Sequence, residues 1–172
     1  VEYIICDTFN MQNNKLCDDV LQAIKKYGEE NIFVIAPSVK SKRSPIRQLA
    51  NKLSNSHEIE MYIPSNDEER LEDDIIKGKL VFTTYWQVKG LERKVVYVMG
   101  FDSFIYGTFK TMEKDKCPNI FYVALTRAKE KLVMVHHYTC KYLPFVNSKR
   151  IQTMAKEYNV SSFVENKDFV PK

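Results

Sequence analysis

Glycine and proline are scarce in this sequence, with five and six copies among 172 residues, which excludes collagen-like repeats and Gly/Pro-rich disorder. No apolar run approaches the roughly 18 residues that a membrane-spanning helix needs. The first residues, Val1 to Tyr3, carry neither a basic leader nor the apolar core of a signal peptide. We therefore expect an intracellular chain that is neither secreted nor membrane-bound.

The sequence also lacks the spacing of a metal site. The four cysteines contain no C-x-x-C pair, and His57, His136 and His137 are not spaced to complete a zinc site. We therefore predict no bound metal, and we interpret the cysteines as reduced thiols that are buried or incidental.

The net charge of +4 is too small to identify a partner, but its distribution is uneven. Lys40, Lys42, Arg43 and Arg47 lie in one stretch, whereas residues 67–74 hold six carboxylates and a single arginine. The basic stretch is suited to contact phosphates. The acidic run is interpreted as solvated surface.

Apolar runs of strand length alternate with amphipathic helical stretches along most of the chain. Strands are predicted at residues 2–6, 32–36, 59–63, 80–84, 95–99 and 132–136, with a further edge strand or loose tail at 163–172. Five helices are predicted, with these boundary signals: Gly28 ending the first, Pro45 opening the second, Asn66 and Asn119 capping the third and fourth, and residues 148–158 forming the fifth. This alternation predicts an α/β fold with an open, mostly parallel sheet and helices on both faces. In such sheets ligands bind beyond the carboxyl ends of the strands.

One candidate functional stretch, Thr-Tyr-Trp-Gln-Val-Lys-Gly-Leu-Glu at 84–92, directly follows the predicted fourth strand. Lys89 and Gly90 would place an ammonium and backbone N–H groups at a turn, and a residue without Cβ allows a sharp turn or a close approach to phosphate. Taken alone, the stretch is weak evidence for a site, and an ordinary loop between strands is the default interpretation.

A second stretch, Tyr-Val-Ala-Leu-Thr-Arg-Ala at 122–128, is predicted to continue the helix that begins at Asn119. Arg127 then falls late in this helix, from which its guanidinium can project beyond the sheet. The alternative is that Arg127 only complements the negative end of the helix dipole.

Together these stretches resemble motifs V and VI of the superfamily 1 DNA helicases of the UvrD, Rep and PcrA type, whose patterns are T-x-H-x-x-K-G-L-E and Y-V-A-L-T-R-A. The sequence Gln-Val-Lys-Gly-Leu-Glu-Arg-Lys at 87–94 also resembles the corresponding segment of helicases of large DNA viruses. The resemblance implies that residues 1–172 form one RecA-like lobe, the second motor lobe of an ATP-dependent helicase that acts in DNA replication or repair and moves 3′ to 5′.

The resemblance also implies roles for individual residues. Arg127 stands at the position of the arginine finger, and Glu92 and Gly90 stand at the nucleotide, with Glu92 on the ribose. Contacts to nucleic acid are implied for the following residues: Thr84, Trp86 and Lys89 in motif V, and, by position and chemistry, Ser38, Lys40, Lys42 and Arg43.

The sequence departs from the family pattern in several places. Trp86 replaces the usual histidine, so it either stacks on a base or packs in the fold. Gln12 stands where the family has a second phosphate-facing arginine. No G-x-x-x-x-G-K-[ST] motif occurs, and no acidic pair follows an apolar strand as a Mg²⁺-holding segment would.

These absences predict that the chain by itself does not hydrolyse ATP efficiently. The loop that holds the phosphates and the residues that hold Mg²⁺ would belong to an N-terminal RecA-like lobe of the same polypeptide. The chain is therefore expected to be part of a longer protein. The expected ligands are therefore ATP with Mg²⁺ and single-stranded or duplex DNA. The alternative is a non-catalytic nucleic-acid-binding or interaction module derived from such a lobe.

Overall fold

The structure of the chain is a computed structural model, which describes residues 1–12, 14–56, 58–105 and 116–158. The strands are β1 Glu2–Cys6, β2 Ile32–Ala36, β3 Met61–Tyr62, β4 Leu80–Thr84, β5 Arg93–Met99, β6 Ala128–His137 and β7 Lys156–Tyr158. The helices are α1 Lys15–Tyr27, a 3₁₀ turn Glu29–Asn31, α2 Pro45–Ser56, α3 Asp73–Ile76, α4 Asn119–Leu125 and α5 Ser148–Met154.

The seven strands form one sheet in the order β3-β4-β2-β5-β6-β1-β7, and every pair of neighbouring strands is parallel. Each residue of β2 and of β4 is buried, as expected of continuous apolar strands covered on both faces. Because all strands run the same way, their carboxyl ends share one edge of the sheet and their amino ends share the other.

Helices cover both faces of this sheet, which confirms the predicted fold class. On one face, α1 and α2 bury Leu16, Val20 and Leu49 against β2 and β5. On the other face, Phe121 of α4 and Ile151 of α5 belong to a second core cluster. Each cluster removes a large apolar area from water, the main term that favours folding.

The ends of α1 agree with the sequence signals. Asn14 caps its first turn by accepting a hydrogen bond from the Leu16 N–H at 2.9 Å. Gly28 follows the last turn with a φ of +85°, and its N–H donates to the Ile24 carbonyl.

The fourth helix is shorter than predicted. It ends at Leu125, so Thr126 and Arg127 form a turn and Ala128 begins β6, rather than extending the helix to 128. Arg127 is tied to the sheet because its carbonyl accepts a hydrogen bond from the Arg93 N–H at 3.0 Å. Pro118, rather than Asn119, occupies the capping position, and no side chain caps this helix.

Further differences concern the length of elements. The third strand has two residues and α3 has four, because residues 63–72 form a loop held by side-chain hydrogen bonds. Asn66 caps a turn of that loop instead of α3, by accepting from the N–H groups of Glu68 and Glu69. The predicted helix at 148–158 divides into α5 and β7, and the predicted tail element at 163–172 lies outside the described residues.

Across the part of the chain that the structure describes, no helix has both the length and the apolar character needed to cross a membrane.

Candidate functional site

The stretch 84–92 crosses the sheet from one edge to the other. It leaves β4 at the carboxyl edge, where Thr84 is the last strand residue, and reaches the amino edge, where Glu92 precedes β5. We call residues 85–92 the crossing segment. It divides the predicted site residues between two edges.

Arg127 and Glu92 lie side by side at the amino edge. Arg127 directly precedes β6 and Glu92 directly precedes β5, and the two strands are paired in parallel with Arg93 opposite Ala128. Ligands are expected beyond the carboxyl ends of the strands, whereas this pair lies at the other edge of the sheet, and its contact with a ligand stays a prediction. The cause is the parallel topology, because each of the two residues ends a connection that returns from the carboxyl edge to the start of the next strand.

The guanidinium of Arg127 joins the end of α4 to the crossing segment. Its Nε donates to the Val123 carbonyl at 2.9 Å, its Nη2 to Thr126 Oγ1 at 3.1 Å, and its Nη1 to the Leu91 carbonyl at 3.4 Å. Three of its five N–H groups are thus used. The other N–H of Nη1 and of Nη2 have no acceptor among the described residues.

Glu92 follows Leu91, whose carbonyl accepts from this guanidinium, and its side chain is exposed at the surface. Its carboxylate forms an ion pair with Lys129, with Oε2 and Nζ 3.2 Å apart and side chains 48% and 59% exposed. An ion pair this exposed contributes at most about 1 kcal/mol. A ligand hydroxyl can therefore compete for the carboxylate at low cost.

Gly90 lies in a turn, and a close approach of a phosphate to it stays a prediction. Its φ is +86°, and a Cβ built at this position would meet no atom within 4 Å. Of the two reasons for a glycine here, the structure supports backbone conformation, because L-residues are strained at this φ.

We predict that Gly90→Ala lowers the free energy of unfolding by about 1 kcal/mol, from backbone strain alone, because the space around the new methyl group is open. Chemical denaturation of both proteins measures the difference. Gly90→Asn is the control and should lose less, since asparagine tolerates a positive φ better than alanine. Equal stability of Gly90→Ala and the parent would contradict the assignment of strain.

Gln87 organises the start of the crossing segment. Its Oε1 accepts three hydrogen bonds at 3.0 Å, from Thr83 Oγ1, Thr84 Oγ1 and the Thr84 N–H. Its Nε2 donates to the carbonyls of Asn66 at 3.0 Å and Glu69 at 2.8 Å. Thr84 is fully buried, which does not match the predicted direct contact with nucleic acid. Its hydroxyl instead positions Gln87.

Trp86 and Lys89 are exposed on the crossing segment. Trp86 is 48% exposed, so the indole presents much of its surface to solvent rather than serving only to fill the core. Both side chains line an open groove whose opposite wall is the loop at residues 63–72, which we call the acidic loop. Asp67, Glu68 and Glu72 of this loop line the groove. The groove therefore has an aromatic ring and an ammonium on one side and carboxylates on the other.

The predicted phosphate-binding residues 38–43 form a loop after β2 at the carboxyl edge, which we call the basic loop. Lys42 and Arg43 are exposed. Ser38 and Lys40 are engaged by the acidic run: Ser38 Oγ donates to Asp67 Oδ2 at 2.8 Å, and Lys40 Nζ lies 3.9 Å from the same oxygen. The acidic run is therefore not merely solvated surface.

The model of the UvrD-like helicase C-terminal domain family matches residues 46–139 of the chain. This span is more than half of the sequence and contains the crossing segment and Arg127. The chain belongs to this family. The basic loop precedes the matched span, so its residues remain a prediction by position and chemistry.

Two individual proteins are also similar to this helicase C-terminal domain. A protein described as a probable DNA helicase from Mycoplasma pneumoniae is 24% identical over 183 residues, covering 83% of this chain and 35% of the relative. The chain thus spans about a third of the length of that relative.

The crystal structure of the C-terminal domain of a possible DNA helicase from Lactobacillus plantarum WCFS1 matches with a TM-score of 0.53 and 16% identity, over 91% of this chain and 84% of the other. At that identity it supports the fold alone. Both organisms are bacteria, and the predicted viral origin has no support from them.

The residues at the amino edge of this helicase C-terminal domain fit part of a nucleotide. A carboxylate suits a ribose hydroxyl and a guanidinium suits a phosphate, and both are present side by side. Within the described ranges, no group of three or more His, Cys, Asp or Glu is arranged to hold a metal ion. The helicase C-terminal domain thus presents a carboxylate and a guanidinium at one edge, and their contact with a nucleotide stays a prediction.

Three residues of the site were missed by reasoning from the sequence. Gln87 lies inside a motif whose pattern leaves its position free, and Lys129 lies two residues beyond Arg127 in a strand that was predicted to start later. Asp67 was interpreted, together with the other carboxylates of residues 67–74, as solvated surface. Its contact with Val39 joins residues 28 apart in sequence, for which the sequence carries no local signal.

Proposed function

We propose that this chain is the second motor lobe of an ATP-dependent DNA helicase that translocates 3′ to 5′. The observation that carries the proposal is the placement of Arg127 beside Glu92 at one exposed edge of the sheet, in a chain of the UvrD-like helicase C-terminal domain family. A non-catalytic binding module has no use for a guanidinium and a carboxylate that together match a nucleotide.

In this proposal the amino edge of the chain forms half of a nucleotide site. Glu92 exchanges its exposed ion pair with Lys129 for a hydrogen bond from the ribose. Arg127 directs its remaining Nη1 and Nη2 donors at the γ-phosphate, where a fixed positive charge stabilises the transferring phosphoryl group. ATP with Mg²⁺, held by an N-terminal RecA-like lobe, supplies the phosphoryl chemistry.

The carboxyl edge and the exposed crossing segment would hold the single strand. Lys89, Lys42 and Arg43 are exposed cations suited to phosphates, and Trp86 offers an aromatic face to a base. The crossing segment is continuous from this strand-binding edge to Glu92. In this proposal, movement of the bound strand is transmitted to the nucleotide site through the backbone of this segment, which is held by hydrogen bonds of Gln87 and Arg127.

The strand-binding role is tested by Lys89→Ala in the chain itself. We expect affinity for an oligothymidylate to fall by about three- to ten-fold near 100 mM salt, and the slope of log K against log salt to decrease by about 0.7, as for the loss of one phosphate contact. Fluorescence anisotropy titrations at several salt concentrations measure both.

Lys25→Ala is the matched control, because it removes the same charge from an exposed site in the last turn of α1. It should leave the affinity within about two-fold of the parent. An unchanged salt slope for Lys89→Ala would contradict a phosphate contact at Lys89. Failure of the parent chain to bind any single strand would contradict the strand-binding role as a whole.

A further inference from the structure

Asp67 occupies a set of donors that is suited to an anionic oxygen. Its Oδ1 accepts from the Val39 N–H at 2.7 Å, and its Oδ2 accepts from Ser38 Oγ at 2.8 Å and lies 3.9 Å from Lys40 Nζ. A backbone N–H, a hydroxyl and an ammonium are the groups that proteins direct at nucleic-acid phosphates. The Asp67 carboxylate thus stands where a phosphate would bind the basic loop.

Side chains that take no part in this contact hold both the basic loop and the backbone next to Asp67 in place. On the basic-loop side, Arg47 Nε donates to the Val39 carbonyl at 2.9 Å and Arg47 Nη2 to the Pro64 carbonyl at 3.0 Å. On the acidic side, the amide of Gln87 holds the carbonyl of Asn66, the residue before Asp67. The contact is therefore positioned by the fold, unlike a chance meeting of two mobile surface chains.

The acidic loop itself is ordered by its own hydrogen bonds. Glu69 accepts from the N–H and the hydroxyl of Ser65 and from the Tyr62 hydroxyl, and these bonds lower the pKa of Glu69. Burial and the neighbouring Glu69 raise the pKa of Tyr62 to about 12, so the phenol remains a donor at neutral pH. These hydrogen bonds fix the conformation of the acidic loop, from which Asp67 contacts the basic loop.

We infer that Asp67 is a built-in competitor of nucleic acid, a carboxylate that a backbone phosphate must displace from Ser38, Val39 and Lys40. The inference rests on the proposed binding of a single strand at the carboxyl edge. While Asp67 is in place, the basic loop presents only Lys42 and Arg43 as unneutralised cations. Once Asp67 is displaced, three further donors become available to the strand.

The variant Asp67→Asn tests this competition in the chain. It keeps an oxygen acceptor but removes the charge, so a phosphate competes with a neutral group for the same donors. We expect labelled oligothymidylate of about 16 nucleotides to bind about ten-fold more tightly near 100 mM salt, since a charge-assisted contact exceeds a neutral one by about 1.4 kcal/mol. The salt slope should increase by about 0.7, as for one newly available cation.

Glu68→Gln is the matched control, because it removes one negative charge from the adjacent, exposed position. It should tighten binding by less than about two-fold, through general electrostatics alone. Adding Lys40→Ala to Asp67→Asn should remove most of the increase in affinity for the oligothymidylate. A double-mutant cycle measures this coupling. In the parent, Lys40→Ala should weaken binding less than Lys42→Ala does, because Asp67 already neutralises Lys40; this comparison leaves Asp67 itself unchanged.

Three outcomes would overturn the inference. Equal affinities of Asp67→Asn and Glu68→Gln, with the parent still binding, would remove the competition and leave the proposed function intact. Weaker binding by Asp67→Asn at unchanged thermal stability would show that Asp67 prepares the basic loop for the strand. Absence of binding by every variant would overturn the strand-binding role together with the inference.

Discussion

Replacing Arg127 with alanine is expected to lower the DNA-stimulated ATPase rate of a polypeptide carrying both motor lobes by about 10³-fold or more. The loss follows from removing a fixed positive charge from the amino edge, where Arg127 and Glu92 directly precede two paired strands. We do not expect Arg93, the residue after Glu92, to replace this charge. Arg93 is engaged elsewhere, since it donates to the Glu30 and Ile76 carbonyls and lies over the Phe33 ring. Steady-state ATPase assays with saturating single-stranded DNA measure the change.

Binding of a single strand separates this effect from a general loss of structure. Arg127→Ala should retain the affinity for oligothymidylate within about two-fold, because Arg127 lies at the amino edge and the strand-binding residues lie on the carboxyl edge and the crossing segment. Arg150→Ala, which removes an exposed arginine from α5, should change neither measurement. Undiminished turnover by Arg127→Ala would exclude Arg127 from the mechanism.

The second large effect concerns stability. Gln87→Ala should lower the free energy of unfolding by about 3 kcal/mol, because two buried threonine hydroxyls and the Thr84 N–H lose the oxygen that all three share. For a chain of this size, the midpoint of thermal unfolding should then fall by roughly 6–12 °C. Thermal unfolding followed by circular dichroism measures the shift.

Two further variants identify the cause of this loss. Gln87→Glu keeps the acceptor oxygen for the threonines but removes the donors to the Asn66 and Glu69 carbonyls, so its midpoint should lie between those of the parent and Gln87→Ala. Gln12→Ala makes the same substitution at an exposed loop position and should cost less than about 0.5 kcal/mol. A Gln87→Ala protein as stable as Gln12→Ala would show that the threonine hydroxyls find other partners.

The elements that the sequence predicted well are those with a strong local pattern. β1, β2 and β4 have the predicted bounds, because short, continuous apolar runs have no alternative to a central strand in an α/β chain. Likewise, α1 ends where Gly28 permits a positive φ. In these segments local preference and tertiary environment agree.

Errors occur where a local pattern competes with pairing to a distant strand. The motif around Arg127 has helical spacing, yet the helix ends at Leu125 and the last residue of the motif, Ala128, begins β6. Hydrogen bonding to β5 satisfies backbone groups that a helix end would leave without partners. The acidic run was likewise predicted to be helical, but only its last two residues enter α3. Residues 67–72 form a loop, because Gln87, Ser65 and Tyr62 make hydrogen bonds to its groups.

The sequence by itself determined the layered α/β fold, the two motifs and the residue types that suit a nucleotide and a strand, because these depend on periodicity and on the chemistry of side chains near one another in the chain. Only the tertiary structure decided that Arg127 and Glu92 share the amino edge, that Thr84 is buried beneath Gln87, and that Asp67 fills the basic loop. Those facts depend on the register between strands and on contacts between residues about 30 positions apart, and such contacts are chosen by the packing of the whole sheet.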